Sequence, residues 1–532
     1  MWFIRYPLIL SLFLAVLLAG CPSTPGTDTN TNANTNSTGG DPGDGSDGGS
    51  TGDPDPPGSG DSRVTVDAGP DQTVVAQSLV TLAGSGSVRG SNAGLTLKWE
   101  QLDGPTVALS DDSIASPTFI APSVVTATTL LFRLTISKSD LANWDDVAIT
   151  VTPIGPELPA PPADAGQVAA AWKNGASDSR VVVTWQLPTG TSDGLTADPA
   201  GATGQALGTL ANNQIASGVH RLIFEFSGSG PADVSFGVTI LGFEYRVSER
   251  LAAPLRREIA IEVLTGSARV LFNGWLPAGD PDAGGPTGTV IAETQVAWRN
   301  GTEPVNADIR FATPLTTLPT SSEGAALQGF ERASFPQGVA LGNGAYWLTF
   351  EMADAGRSAD VTYFASFPGF STRVDRRITG PERRLIGLDV FSGTARVFFD
   401  GWKQAGESGA GGVTGVHPVE VVGAWRDASA NVSVALDLYV NGVRTPYSTQ
   451  AFALQGCQRV YLPSGSTVAD GEYRIGCALS GLNRTADVTL DAAILNYTLS
   501  RSARLVGDSV THTIVVQVTG GVATEISNTW TP

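Results

Sequence analysis

A repeat of 127 residues organises the C-terminal part of this 532-residue chain. The tripeptide Ala-Asp-Val begins at Ala232, at Ala359 and again at Ala486, and Gly266–Val270 matches Gly393–Val397 at the same spacing. A unit of this length is too long for a solenoid repeat, which has about 20 to 45 residues. We therefore expect three homologous domains, each with its own core. Their predicted boundaries are 167–285, 286–412 and 413–532.

Alternating side chains indicate that these copies consist of β-strands. In the second copy, one strand face carries Tyr346, Leu348, Phe350 and Met352, and the other carries Trp347, Thr349 and Glu351. No long window after the N-terminal segment has helical periodicity, and 63 glycines and 33 prolines favour turns. We predict an all-β chain: a string of four β-sandwich domains, three of them the tandem copies, after a disordered N-terminal tether.

The N-terminal residues are typical of an export signal. Arg5 precedes an apolar run from Leu8 to Leu18, which is shorter than the roughly 20 residues that span a bilayer. The sequence Leu-Ala-Gly-Cys ending at Cys21 resembles the lipobox of bacterial lipoproteins. The resemblance implies that residues 1–20 are a signal peptide and that Cys21 carries a lipid anchor in the cell envelope, with the outer membrane or cell surface of a bacterium as the expected location. An ordinary signal peptide and an uncleaved anchor are the alternatives.

Residues 21–62 have the composition of a flexible tether. After the cysteine they are almost entirely Thr, Asn, Gly, Asp, Pro and Ser, with no aromatic residue and no Lys or Arg. Such a segment cannot bury enough apolar surface to offset the entropy of ordering. We therefore predict a disordered linker between the anchor and the first domain.

Residues 63–153 carry a set of short motifs in a fixed order. They are Ala68-Gly-Pro-Asp71, Gly84-Ser-Gly-Ser87, Leu97-Lys-Trp-Glu-Gln101, Gly104-Pro105 and Pro117-Thr-Phe-Ile-Ala-Pro122. In this order they resemble the PKD domain and its REJ-type bacterial relatives. The resemblance implies an Ig-like sandwich of the kind found in extracellular proteins as spacers, adhesion units or accessories of secreted enzymes. A Pro-rich joint is predicted at residues 154–166, and the three copies resemble no family we can name.

Two cysteines in the third copy replace aromatic residues of the second. By the repeat spacing Cys457 stands at the position of Phe330, and Cys477 at that of Phe350. If the two aromatic side chains touch across the core, a disulfide between the cysteines is the expected replacement, and an oxidising compartment permits it. Two separate buried thiols are the alternative.

The sequence contains no recognisable catalytic set. Its three histidines are far apart and lack metal-ligand spacing, and no phosphate loop or nucleophile elbow is present. We predict no catalytic residue, no metal site and no cofactor. The net charge of -19 makes nucleic acid an unfavourable partner.

Sugar binding by stacking on aromatic rings is the most specific ligand role that the residues suggest. Trp347 is predicted to face away from its core, Trp144 lies in a predicted loop, and Trp185 is a further candidate. These residues, together with the lipid anchor, suggest the membrane, and a polysaccharide or a surface protein, as partners.

Three functions follow from these features. The first is a non-enzymatic, lipid-anchored surface protein that displays tandem sandwiches for adhesion or structural interaction. The second is a carbohydrate-binding accessory protein. The third is a hydrolase whose site the sequence does not reveal.

Overall fold

The computed structural model describes residues 64–88, 91–190, 200–252, 254–322, 327–354, 356–451 and 454–529. The chain divides into two compact units, residues 1–61 and 62–532, and the described residues all belong to the second. These residues form β-strands throughout, with two three-residue 3-10 helices. The predicted all-β fold of tandem sandwiches is confirmed. None of the helices in the described ranges has the length and apolar character needed to cross a membrane. The signal segment, Cys21 and the tether lie outside those ranges.

The first sandwich has eight strands. They are β1 (Val64–Asp67), β2 (Gln72–Val75), β3 (Leu79–Thr81), β4 (Ser85–Val88), β5 (Thr96–Asp103), β6 (Thr118–Ile120), β7 (Thr128–Lys138) and β8 (Leu141–Thr152). One sheet has the order β2-β8-β7-β5 with β2 parallel to β8, while β1 pairs with β4 and β3 with β6. Trp99 and Phe132 are buried in its core, as the alternation predicts.

The joint after this sandwich lies against the next domain. Leu158 packs on Ala169 and Ala171, and the backbone N–H of Gly155 donates a hydrogen bond to the hydroxyl of Ser248 at 2.7 Å. The joint is therefore attached to the outer face of the first copy at both of these points.

The first copy consists of two antiparallel four-stranded sheets. Its strands are β9 (Ala165–Lys173), β10 (Arg180–Gln186), β11 (Gly204–Ala211), β12 (Gly218–Ser227), β13 (Ala232–Ile240), β14 (Phe243–Leu251), β15 (Leu255–Leu264) and β16 (Ser267–Asn273). The sheet orders are β10-β12-β15-β16 and β11-β9-β13-β14. Trp172 and Trp185 are buried between the sheets.

The second copy repeats this arrangement with two short extra strands. Its strands are β17 (Glu293–Arg299), β18 (Ala307–Ala312), β19 (Thr317–Leu318), β20 (Ser321–Ser322), β21 (Gly329–Ser334), β22 (Gly344–Met352), β23 (Ala359–Phe367), β24 (Phe370–Ile378), β25 (Glu382–Phe391) and β26 (Thr394–Asp400). The sheet orders are β19-β18-β22-β25-β26 and β20-β21-β17-β23-β24.

The third copy joins its two sheets through two long strands. Its strands are β27 (Val419–Arg426), β28 (Ser433–Val440), β29 (Val443–Arg444), β30 (Tyr447–Ala451), β31 (Gly456–Leu462), β32 (Gly471–Ile494), β33 (Tyr497–Thr519) and β34 (Val522–Asn528). Strand β32 covers the positions of both β22 and β23, with a register shift between Ser480 and Arg484, and β33 covers those of β24 and β25. The same template thus gives one continuous sheet here and two sheets in the other copies.

A left-handed residue follows the first strand of every copy. Asn174, Asn300 and Asp427 have φ values of 56°, 51° and 49°. Asn and Asp adopt this conformation at lower cost than other residues with a Cβ atom. The Trp-basic-Asn/Asp sequence therefore marks the same strand end three times.

Candidate functional site

Two of the three tryptophans proposed to bind sugar are buried. Trp185 lies in the core of the first copy, where its indole N–H donates to Nδ1 of His220 at 3.1 Å. Trp144 is 55% exposed on β8, and the guanidinium of Arg133 lies 3.8 Å from the centre of its ring. Trp185 is thus excluded as a surface ligand residue, and Trp144 remains one.

Trp347 faces away from its own core, but the third copy covers it. Only 7% of the residue is exposed, and its ring packs edge-on against Phe398 with centroids 5.0 Å apart. Val422, Ala424 and Cys457 of the third copy belong to the same apolar cluster. The expected ligand role of Trp347 is therefore wrong, because its outward face is an interdomain contact.

The predicted disulfide is absent from the structure, which holds Cys457 and Cys477 as separate buried cysteines. Cys457 lies in the cluster between the second and third copies, whereas Cys477 lies in the core of the third. Their counterparts Phe330 and Phe350 are divided in the same way. The two positions are both apolar in the template, but they belong to opposite sides of a sheet and do not meet.

The neighbour of Cys457 explains the loss of the aromatic ring at this position. In the first junction the guanidinium of Arg221 lies 4.2 Å from the centre of the Phe330 ring and binds Glu258 at 2.7 Å. Trp347 occupies the strand position of Arg221, since the two residues face Gly387 and Ala260 on equivalent strands. The bulky indole takes up the space that an aromatic ring fills in the first junction, and a small thiol completes the packing.

The two junctions between copies have the same construction. The sheet that contains β15 and β16 packs its outer face on β17 and β21, and the sheet that contains β25 and β26 does so on β27 and β31. Each contact has an apolar centre and a buried polar edge. These polar edges are the functional residues that sequence reasoning missed.

At the first junction, Arg332 binds two carboxylates. It contacts Glu262 of the preceding copy at 2.6 Å and Glu293 of its own copy at 2.7 Å, and all three side chains are at least nine-tenths buried. The hydroxyls of Thr287 and Thr289 donate to the Glu262 carboxylate at 3.0 and 2.7 Å. A buried ionic group of this kind requires one geometry, since separation of the copies would break all of these bonds.

At the second junction, Arg459 repeats this role. It contacts Asp389 of the preceding copy at 2.9 Å and Glu420 of its own copy at 2.8 Å, and its side chain is 0% exposed. Nε2 of His417 lies 3.0 Å from the Asp389 carboxylate, and the hydroxyl of Thr414 donates to Glu420 at 2.9 Å. Burial alone would raise the pKa of Asp389, but the hydrogen bonds from His417 and Arg459 hold it below its usual value.

A second arginine crosses each junction to backbone carbonyls. Arg299 donates to the carbonyls of Asn273 and Ala283 at 3.1 and 2.6 Å. Its counterpart Arg426 donates to the carbonyls of Asp400 and Ala410 at 3.2 and 2.5 Å. Burial lowers the pKa of Arg299 to about 10.

A glutamine completes the shared pattern. The side-chain amide of Gln328 donates to the carbonyl of Arg256 at 2.6 Å, and that of Gln455 donates to the carbonyl of Arg383 at 3.0 Å. The recurrence of polar residues at the 127-residue spacing, in strands that are otherwise apolar, is the sequence signal that could have revealed both junctions.

The described residues offer little for catalysis. They contain no group of three or more His, Cys, Asp or Glu side chains that could hold a metal ion. A polar cavity of about 210 Å³ beside the second junction is bordered by Glu407, Asp491 and Arg426. Phe364 occupies the position of Asp491 at the first junction, so this cavity results from the loss of an aromatic ring.

The fold and its junctions define a tandem β-sandwich protein with a PKD domain at its start. Residues 68–151 match a family model for a PKD domain, which confirms the resemblance of the first sandwich. The comparison with curated proteins found no match.

Several solved structures are similar to parts of the chain. A nucleoside hydrolase-related hypothetical protein from Saccharophagus degradans is 24% identical over 15% of this chain, with a TM-score of 0.14, and the match spans 22% of that protein. Bovine butyrophilin is 16% identical over 36% of this chain and 99% of its own, with a TM-score of 0.15. The titin Ig tandem domains A164-A165 are 9% identical over 36% and 96%, also with a TM-score of 0.15.

Proposed function

We propose that this chain is a non-enzymatic, lipid-anchored surface protein that presents tandem β-sandwiches in a fixed orientation for adhesion or structural interaction. The observation that carries the proposal is the buried ionic network that recurs at both junctions between copies. A protein that displays a binding surface at a distance from a membrane needs domains that do not fold back on one another.

The network supports a fixed orientation for an energetic reason. Domains within one chain usually move relative to each other unless their interface is large and well packed. Here, bending at the second junction would expose the apolar cluster around Trp347 and would separate Arg459 from Asp389. Each charge would then have to be solvated at the expense of a matched ion pair, so the closed junction is favoured.

The location rests on the sequence of the N-terminal segment. An export signal ending at Cys21, a tether at residues 21–62 and an extracellular type of domain at residues 68–151 favour attachment to a bacterial envelope. With so few candidate catalytic groups in the described residues, we propose a binding role in preference to hydrolysis.

Carbohydrate binding is the second candidate function, and Trp144 supports it. This residue lies at the surface of the first sandwich with much of its ring accessible. Arginine and tryptophan side by side are common in binding surfaces, because both provide large contact areas. A polysaccharide or a surface protein remains the partner that we propose.

Localisation can be tested with the full chain in a bacterial host. Wild-type protein is expected to incorporate radiolabelled fatty acid and to fractionate with membranes, whereas the Cys21→Ala variant should lose the label. An unlabelled wild-type protein would refute the lipid anchor. The variant Cys477→Ala, which changes a buried cysteine, is the matched control.

The fixed orientation can be tested by distances between spin labels. Labels at Leu207→Cys and Val443→Cys, both at exposed positions in the first and third copies, should give a narrow distance distribution. The distribution should broaden when Arg459 is replaced by methionine. A broad distribution in the chain without that substitution would refute a fixed arrangement of the copies.

A further inference from the structure

A cleft of about 500 Å³ opens where the second copy meets the third. One wall is the turn between β24 and β25, and the other includes Leu454 and Gln455, which precede β31. Its volume lies within the range of roughly 300 to 1,000 Å³ that is typical of ligand pockets. The cleft is separate from the buried network of the junction, and the sequence analysis did not anticipate it.

Arginines outnumber carboxylates around this cleft. Arg376 and Arg384 both bind the same oxygen of Glu382, at 3.1 and 2.7 Å. Each guanidinium can donate five hydrogen bonds, so one shared carboxylate oxygen leaves donors for a ligand. Arg376 is 41% exposed and can therefore reach a bound molecule.

The second carboxylate of the cleft is shared as well. Glu351 lies 3.1 Å from Arg383, and Arg310 lies 4.0 Å from the same oxygen of Glu351. Arg377 also lines the cleft, but it pairs with Asp360 at 3.0 Å. Apart from that pair, four guanidiniums face two carboxylates, in a chain whose net charge is -19.

The corresponding corner of the first copy has the opposite balance. Glu249 stands at the position of Arg376, and Glu258 at that of Leu385. Two arginines there face three carboxylates; they are Arg256 and Arg257 with Glu225, Glu249 and Glu258. The fold is the same in both copies, so it does not require the positive charge. The excess of arginine at the second corner therefore indicates a local function.

An aromatic ring holds two of the arginines in position. The guanidiniums of Arg376 and Arg384 lie 5.6 and 5.5 Å from the centre of the Trp402 ring, which packs on Phe350 and Tyr363 of the core. A cation over an aromatic face gains roughly 0.5–1 kcal/mol at exposed sites, which reduces the freedom that binding must remove. The donors are thus arranged before a ligand arrives.

We propose that this cleft binds an acidic polysaccharide through its anionic groups, either the carboxylate of a uronic acid or a sulfate ester. The planar guanidinium fork matches both oxyanions, and several arginines in a row suit a charge that repeats along a polymer. The wall at Ile378–Glu382 is a turn and not an unpaired strand, so it offers no strand edge to an extended peptide. This inference adds a ligand to the proposed surface role and does not require the lipid anchor.

Calorimetric titration of the full chain at low salt can test the proposal. The probes are an oligogalacturonate for the carboxylate and a heparin-derived oligosaccharide for the sulfate, with a neutral maltooligosaccharide and a poly-glutamate peptide as comparisons. Arg376→Glu introduces the residue that the first copy has at this position, so it should fold. Arg384→Gln is the second variant, and Arg257→Gln at the same template position of the first copy is its matched control.

At least one anionic sugar should bind, and the affinity should fall about tenfold or more in both cleft variants, because each removes a charge-assisted hydrogen bond. The control should bind as the unmodified chain does, and all melting temperatures should agree. The proposal is overturned if neither anionic sugar binds, if the neutral sugar or the peptide binds as well, or if the control loses as much affinity as the cleft variants. A failure of membrane attachment would leave these results unaffected, so the two proposals fail separately.

Discussion

Replacing Arg459 by methionine is expected to destabilise the second junction by about 3–5 kcal/mol, the usual effect of removing one partner from a buried ion pair. The side chains of Arg459, Asp389 and Glu420 are exposed by 0%, 2% and 0%. Without the guanidinium, two carboxylates would remain buried with only an imidazole and a hydroxyl as polar partners. One of them would have to take up a proton, or the junction would have to open to water.

The exposed pair Arg504–Asp487 provides the control within the same copy. Its atoms are 3.0 Å apart, as close as those of the buried group, but its side chains are 46% and 36% exposed. Solvent screening limits such a pair to about 1 kcal/mol or less, so Arg504→Met should change little. Adding Asp389→Leu and Glu420→Leu to Arg459→Met should recover much of the lost stability, because no unpaired charge then remains buried.

Hydrogen exchange of the β25 and β31 amides is the appropriate assay, since unfolding of several domains is not a two-state process. A loss of 3–5 kcal/mol corresponds to an opening population that is larger by about a hundredfold or more. The reasoning would be refuted if Arg459→Met exchanged at the rate of the unmodified chain. Equal effects of Arg459→Met and Arg504→Met would also refute it, because burial would then not be the deciding factor.

Three further outcomes are expected. The imidazole and guanidinium that donate to Asp389 hold its pKa below the unfolded value of about 3.9, so its stabilising contribution is present above that pH and is lost in more acidic solution; exchange at the second junction should therefore rise below about pH 4, and less so in Asp389→Asn. Burial raises the pKa of Asp491, and Asp491→Phe, the residue found at Phe364, should fill the 210 Å³ cavity and raise stability by about 0.5–2 kcal/mol in thermal melts. Burial raises the thiol pKa of Cys457 and Cys477 to about 12, so alkylation should require denaturation.

Each of these outcomes has a result that contradicts it. Exchange that is independent of pH in the acidic range would show that Asp389 does not hold the junction. A lower melting temperature of Asp491→Phe would mean that the cavity cannot accept a ring as the first junction does. Detection of a bond between Cys457 and Cys477 by mass spectrometry without reductant would overturn their separation.

Some features of this protein could be predicted from local sequence alone. The repeat spacing predicts three related domains, and the alternation along β22 predicts that Tyr346 and Trp347 point to opposite sides of a sheet. Both predictions depend only on the period of a β-strand, which is a property of the backbone. The motifs between Ala68 and Pro122 likewise predicted a PKD-like sandwich, which the family match at residues 68–151 confirms.

Only the tertiary structure decided what lies beyond each face. Alternation places Trp347 outside its own core, but it carries no information on whether solvent, sugar or another domain covers that side. For the same reason, two apolar positions such as Cys457 and Cys477 could be recognised while their separation into different clusters could not. Burial of Arg459 between two copies is likewise a property of their contact, because distant parts of the chain meet there and supply charges that no short stretch of sequence contains.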